Sequence, residues 1–329
     1  MFKNTRILLT GGTGSWGTEL TKKLLLYKPK EIRIFSRNEF KQIKMERTFN
    51  YNPSLKFVIG DVRDYSSLEA ACQGVDYIFH LAALKHVPIC EDQPEEALKT
   101  NVTGTENVIR VALENRVKKV IDVSTDKAAD PVNFYGLTKA LGERLMIRAN
   151  DYSEQTDFVC IRGGNVLGTN GSVVPFFKDL ILNGKDLTLT SKDMTRFFLT
   201  VSEAIDLLLK ASEEAKGGEI FVMKMKACNI LDLAEVLINE LASHPVGIKE
   251  IGIRPGEKLH EVLVSNHEAP FTYLYDAQHY VILPSHPSKK LVKHYKKFAK
   301  ADFQKYQSNN QLMSKFEIAD MLKEGGFIQ

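Results

Sequence analysis

Between residues 5 and 161, short β-branched runs alternate with longer stretches in which apolar residues return at helical spacing. The runs TRILLT, EIRIFS, LKFVIG, VDYIFH, VKKVIDVS and DFVCIR predict six strands. The intervening stretches, at about residues 15–27, 38–49, 65–73, 94–115 and 134–149, predict helices, and Pro94 suits a first-turn position. Strands and helices in alternation predict an α/β fold built on a doubly wound parallel sheet, with right-handed crossovers.

The rhythm changes after Arg162. A Gly- and Asn-rich stretch, GGNVLGTNGS, precedes a helix at about 174–183 and a strand at 187–190. A helix at about 202–212 and a strand at 219–223 could rejoin the sheet. Residues 1–165 and 196–225 are therefore expected to form one domain, with 166–195 and 226–329 forming a smaller, discontinuous C-terminal lobe that holds substrate. The lysine-rich run 288–300 has Leu291, Tyr295 and Phe298 at helical spacing, which leaves its lysines on a solvated face.

With 329 residues the chain is long enough for a large core, which excludes a disulfide- or metal-stapled miniature fold. Forty-four Lys and Arg against 41 Asp and Glu leave a net charge of +3, so no nucleic-acid partner is expected. The four cysteines, at 72, 90, 160 and 228, show no CxxC spacing and read as reduced, packed thiols of a cytoplasmic protein. No apolar run is long enough for a membrane span, so no membrane association is expected, and the sequons at Asn101 and Asn170 carry no weight without secretion. The eight histidines lack ligand spacing and HExxH is missing, so no metal is expected.

The turn TGGTGSWG puts Gly11, Gly14 and Gly17 where the first strand meets the first helix, a place where backbone amides can hold a dinucleotide pyrophosphate. A nucleotide P-loop is disfavoured because Thr18, not Lys, follows Gly17. At the end of the second strand Ser36 and Arg37 stand where an NAD site usually has an acid, which favours the 2′-phosphate of NADP. Lys41 either adds charge there or is a surface lysine. Asp61 either accepts from the adenine amino group or caps the next turn. The expected cofactor contacts are Gly11, Thr13, Gly14, Ser15, Trp16 and Gly17 in the turn, and Ser36, Arg37 and Lys41 after the second strand. Asp61 and Val62, then Ala82, Ala83 and Lys85, with Tyr135 and Lys139, complete them.

The fifth predicted strand runs into VSTDKAADPVNFYGLTK, which brings Ser124, Thr125, Asp126 and Lys127 to the carboxyl end of the sheet. Tyr135 and Lys139 follow at i,i+4 on one helix face, where the ammonium would stabilise a phenolate and lower the tyrosine pKa.

TGGTGSWG with YxxxK resembles the extended short-chain dehydrogenase/reductase family, whose fold is the Rossmann sheet. LAALKHVPICEDQPEEALKTNVTGTENVI, STDKA, MTRFFLT and GIRPGEKLHEVL narrow the resemblance to its soluble NADP-dependent UDP-N-acetylglucosamine 4,6-dehydratases that invert C5. The resemblance implies that Tyr135 deprotonates the sugar 4-hydroxyl and that Lys139 assists it. It further implies that Thr125 bonds the 4-oxygen, that neutral Lys127 removes the C5 proton, and that protonated Asp126 assists departure of the 6-hydroxyl. Substrate contacts implied are Lys85, His86, Asn165, Arg196, Arg254 and Glu257, although His86 by itself would more often be a satisfied structural histidine. One departure stands out: Gly163 follows Arg162 where the subfamily usually has an aromatic ring. A homo-oligomer is implied as well. The alternatives kept open are a C5-retaining dehydratase, a UDP-hexosamine 4-epimerase, and a binding module that senses NADP without turnover.

Overall fold

The computed structural model describes residues 1–168 and 172–328, so the sequon at Asn170 lies outside the described residues. The six predicted strands form as β1 (Arg6–Thr10), β2 (Glu31–Ser36), β3 (Leu55–Ile59), β4 (Tyr77–His80), β5 (Lys119–Thr125) and β6 (Asp157–Gly163). Between them run α1 (Ser15–Leu25), α2 (Glu39–Thr48) and α3 (Tyr65–Cys72), then α4 (Val87–Asp92), α5 (Pro94–Leu98), α6 (Gly104–Glu114) and α7 (Phe134–Ala149). The strands pair in parallel in the order β3-β2-β1-β4-β5-β6, and Ile220–Met223 continues the sheet beyond β6 as anticipated. The order reverses between β1 and β4, and a crevice opens there beyond their carboxyl ends. Ile7, Leu8, Leu9, Ile78, Phe79, Val120 and Ile121 are fully enclosed, as expected for strands covered on both faces.

Two features depart from the expected division of the chain. Thr272–Leu274 and His279–Ile282, within the span assigned to the smaller lobe, add antiparallel strands to the large sheet at Ile220–Met223. They cover an edge whose backbone groups would otherwise be unpaired. Conversely Thr195–Leu199 does not enter that sheet. It pairs with Asn165–Val166 and Lys226–Asn229 in a separate three-stranded sheet against the cleft.

The long helix expected at 94–115 is interrupted by a π-helical turn at Lys99–Thr103. Asn101 explains the break. Its buried side chain accepts from the Leu84 amide at 2.8 Å and donates to the Leu84 carbonyl at 2.9 Å and to Thr138 on α7 at 3.0 Å. Such widened turns accommodate a side chain that must leave the helix surface.

A second apolar cluster fills the smaller lobe, where Val174, Phe177, Leu233, Leu237, Ile318 and Leu322 meet from three helices. In the lysine run, Leu291 and Tyr295 are buried and the lysines face outward, as the spacing indicated. The four cysteines are buried and unpaired, and burial pushes the Cys72 thiol up to about 12. Among the described residues no helix is long and apolar enough to cross a membrane, and no group of His, Cys, Asp and Glu is arranged to hold a metal ion.

Candidate active site

A cleft of about 790 Å³ lies over the carboxyl ends of β1, β2, β4 and β5 and is closed on the far side by the smaller lobe. Its dinucleotide end is built from the glycine turn. Gly11 has a φ of +66°, and a Cβ there would stand 2.8 Å from the Ala82 backbone, so only glycine fits. A Cβ on Gly17 would lie 2.2 Å from the Gly12 carbonyl oxygen, which explains the close seating of α1 on the turn. Gly14 caps α1 without a side chain, leaving the first-turn amides available to an anion. This cradle fits a dinucleotide: every contact expected for one lines the cleft except Lys139, which is buried beneath it.

At the adenosine end, Ser36, Arg37 and Lys41 line the wall. Asp61 caps the turn that follows it, accepting from the Arg63 amide at 3.0 Å and from the Arg63 guanidinium at 2.6 and 2.9 Å. Burial raises its carboxyl pKa, but Arg63 and Arg37 outweigh that and hold it below the usual range. Arg37 Nη1 lies 3.7 Å from the same carboxylate.

The reacting end is set by β5, α7 and the chain at 254–261. Lys139 Nζ sits 3.2 and 3.3 Å from the two oxygens of Asp122, and both side chains are buried. Burial lowers the Lys139 pKa, and Asp122 and Tyr135 more than restore it, so the cation is secure. Tyr135 behaves differently from the simple i,i+4 expectation. Burial of its hydroxyl raises the phenol, and the pull of Lys139 and Lys127 only partly offsets it, so the net shift is upward.

Asp126 is completely buried, with Oδ1 accepting from Thr125 Oγ1 at 2.9 Å and from Lys127 Nζ at 3.0 Å. Burial raises its pKa despite Lys127, which suits a carboxylic acid that donates a proton. Lys127 is pushed the other way from a resting base. Burial would neutralise it, yet the Asp126 and Glu261 carboxylates prevail and its pKa rises. The neutral Lys127 that proton removal from C5 requires is thus not the form its surroundings favour.

Lys85, His86, Asn165, Arg196, Arg254 and Glu257 all line the cleft. His86 begins α4 without using its ring as a cap. Arg196 donates Nη1 to the carbonyls of Thr195 at 2.7 Å and Leu259 at 3.2 Å, so part of its fork is already engaged. A Cβ on Gly163 would meet only Leu199 and the tip of the Trp16 ring, both at 3.9 Å, so this glycine leaves room beside the cofactor turn.

Sequence reading missed four residues. Asp122 was signalled by a lone acid in the apolar run VIDVS. Asn133 caps α7 by accepting from the Gly136 amide at 2.7 Å and donates to the Gly256 carbonyl at 2.8 Å, joining the RPGEK turn to the helix of Tyr135. Glu261 stands inside the quoted RPGEKLHE run, and Asn101 gave no signal beyond a sequon.

The model of a family described as polysaccharide biosynthesis protein matches residues 7–282. The chain belongs to this family, a branch of the extended short-chain dehydrogenases/reductases. It is 48% identical to the UDP-N-acetylglucosamine 4,6-dehydratase (inverting) of Campylobacter jejuni, over 87% of this chain and 84% of that one. It is also 47% identical to a protein of Rickettsia rickettsii named UDP-glucose 4-epimerase, over 82% of this chain and 80% of the other. The solved structure of Pen from Bacillus thuringiensis superposes over the whole of both chains, with a TM-score of 0.93 and 37% identity.

Proposed function

We propose that this chain is a UDP-N-acetylglucosamine 4,6-dehydratase that inverts C5 and works with NADP. The observation that carries the reading is the Asp126–Lys127 pair after β5 beside Tyr135, with Lys127 lining the cleft and Asp126 enclosed behind it. Oxidation at C4 alone does not require an acid and an ammonium there, whereas removal of water across C5 and C6 requires both a proton donor and an acceptor. The relatives named as inverting dehydratases support it.

A nicotinamide cofactor held by the glycine cradle, Arg37 and Lys139 would accept hydride from C4 and return it to C6. The chain's own residues manage protons and position. Tyr135 takes the proton of the 4-hydroxyl, with Lys139 and Lys127 stabilising the phenolate. Thr125 holds the 4-oxygen. The resulting 4-ketone acidifies the C5 proton, which passes to Lys127, and Asp126 protonates the departing 6-hydroxyl. Arg254 and Arg196, which line the cleft, would hold the diphosphate, and Glu257 a ribose hydroxyl. Leu137 and Leu141 are exposed on α7, a face suited to a homo-oligomer.

The 4-epimerase reading stays in play because of the Rickettsia relatives. Incubation of purified protein with UDP-N-acetylglucosamine, followed by mass spectrometry and proton NMR, separates the two. Loss of one water with a new C6 methyl signal supports the dehydratase; unchanged mass with N-acetylgalactosamine signals overturns it. Coupling constants of fresh product in D₂O decide inversion against retention. Asp126→Asn should lower dehydration by about 10²–10⁴-fold, the range for a lost general acid, whereas an epimerase would keep most of its turnover.

A further inference from the structure

The reaction as proposed leaves one buried carboxylate unused and one requirement unmet. Glu261 is 3% exposed and reaches the site from the smaller-lobe side of the cleft. Its Oε1 lies 3.3 Å from Lys127 Nζ, while Asp126 Oδ1 lies 3.0 Å from the same nitrogen. Glu261 Oε2 and Asp126 Oδ2 are both buried without a hydrogen-bond partner among the described residues. Two carboxylates from different elements thus share one ammonium, and each keeps an oxygen with room for a proton. The backbone fixes the arrangement, because Glu261 N–H donates to Ser308 Oγ and accepts in return at its carbonyl from the Ser308 amide, both at 2.9 Å. A buried carboxylate with one unpaired oxygen is costly as a structural element. Its position is explained if it exchanges protons.

We propose that Glu261 is the proton acceptor of Lys127, converting the resting ammonium into the amine that removes the C5 proton. This rests on the dehydratase reading. An N–H bond of Lys127 breaks and an O–H bond forms on Glu261; the C5–H bond then breaks and its proton restores the ammonium. As the C6–O bond breaks, the Asp126 proton leaves with the hydroxyl as water. The cluster is then left with Asp126 ionised and Glu261 protonated, and the Lys127 nitrogen, within 3.3 Å of both, returns the proton to Asp126; the proton that C5 regains from its opposite face is balanced by the one Tyr135 took from the 4-hydroxyl, so every group ends as it began. The charged groups facing Glu261 are Lys127, Arg196, Lys258 and Asp126, and Lys127 in addition faces Tyr135. The three cations keep Glu261 ionised at rest although burial opposes it, so it holds no proton when the cycle begins; because they also make it a weak base, transfer from Lys127 proceeds only in concert with arrival of the C5 proton on the same nitrogen.

The test is Glu261→Gln in the full-length, cofactor-loaded protein, with UDP-N-acetylglucosamine as substrate. The expected result is a fall in kcat for dehydration of about 10²-fold or more, the size of a lost acid–base function, with KM little changed. The residual rate should climb steadily with pH, because solvent must then deprotonate Lys127, while the wild type stays flat between pH 6 and 8. Glu261→Asp, which retains the charge, should recover most of the rate and the flat profile. A Glu261→Gln rate within threefold of wild type, or a loss of rate with an unchanged pH profile, overturns the proposal. Should the Gln variant not fold, Glu261→Ala, which also removes the carboxylate, carries the same test: a rate within threefold of wild type, or a loss of rate with an unchanged pH profile, overturns the assignment. A wild-type chain that leaves the substrate mass unchanged overturns the dehydratase reading itself, and is distinguishable from all of these.

Discussion

Arg162, next to last in β6, has all five guanidinium N–H groups occupied, and breaking this clamp yields a calculable effect. Nε and Nη2 donate to Glu143 on α7 at 3.0 and 2.6 Å, Nη1 and Nη2 donate to Glu268 at 3.0 and 2.9 Å, and Nη1 donates to the Leu263 carbonyl at 2.7 Å. The guanidinium therefore ties the sheet and the helix of Tyr135 to the chain at 263–268. Burial would raise the Glu268 pKa, but Arg162 and the Ser265 amide and hydroxyl lower it from 4.5 to about 2. At about 1.4 kcal/mol per pKa unit, the ionised Glu268 contributes at most about 3 kcal/mol at neutral pH. Because the folded-state pKa is depressed, that stabilisation is complete above the unfolded value near 4.5 and is lost as pH falls towards 2. Glu268→Gln should lower the unfolding free energy by up to about 3 kcal/mol at pH 7, and the gap should shrink to somewhat under half at pH 3. Urea unfolding of both proteins at the two pH values measures it. A gap below about 1 kcal/mol at pH 7, or one that does not narrow in acid, refutes the reasoning.

Arg37→Ala should weaken NADP binding by about 10-fold or more, the scale of a charged hydrogen bond, and leave NAD binding nearly unchanged; titration with both cofactors checks this, and equal losses would remove the 2′-phosphate assignment. Gly17→Ala forces a methyl against the Gly12 carbonyl at 2.2 Å, so α1 must shift at a cost of about 1–3 kcal/mol. The expected readings are a lower thermal midpoint and weaker dinucleotide binding, and an unchanged midpoint would show that the turn yields more easily than its geometry indicates.

Much of the architecture was legible because it depends on near-neighbour periodicity. β1 to β6 and α7 follow from alternating runs of apolar residues, and Gly11 and Tyr135 announce themselves through local spacing on a strand–turn–helix. The smaller lobe was less legible, since Thr272–Leu274 pairs with His279–Ile282, and the strand that ties this short pair to the large sheet, Ile220–Met223, lies about sixty residues before His279–Ile282 in the chain. Nothing local distinguishes an edge strand of the large sheet from one of a separate lobe. The π-helical turn was hidden for the same reason: Asn101 leaves the helix register to bond Leu84 and Thr138, neither of which is its helical neighbour.

The amino-acid order by itself determined which residue types would gather over the sheet's carboxyl edge, because strand direction and helix phase are local properties of the chain. What only the tertiary structure decided is their protonation. Lys127 at position 127 reads equally well as a base or as a cation, and Tyr135 beside Lys139 reads as an easy phenolate. Burial raises the Tyr135 phenol, and Asp126 with Glu261 favours the Lys127 cation, since charge states in a buried site depend on distances between residues far apart in sequence.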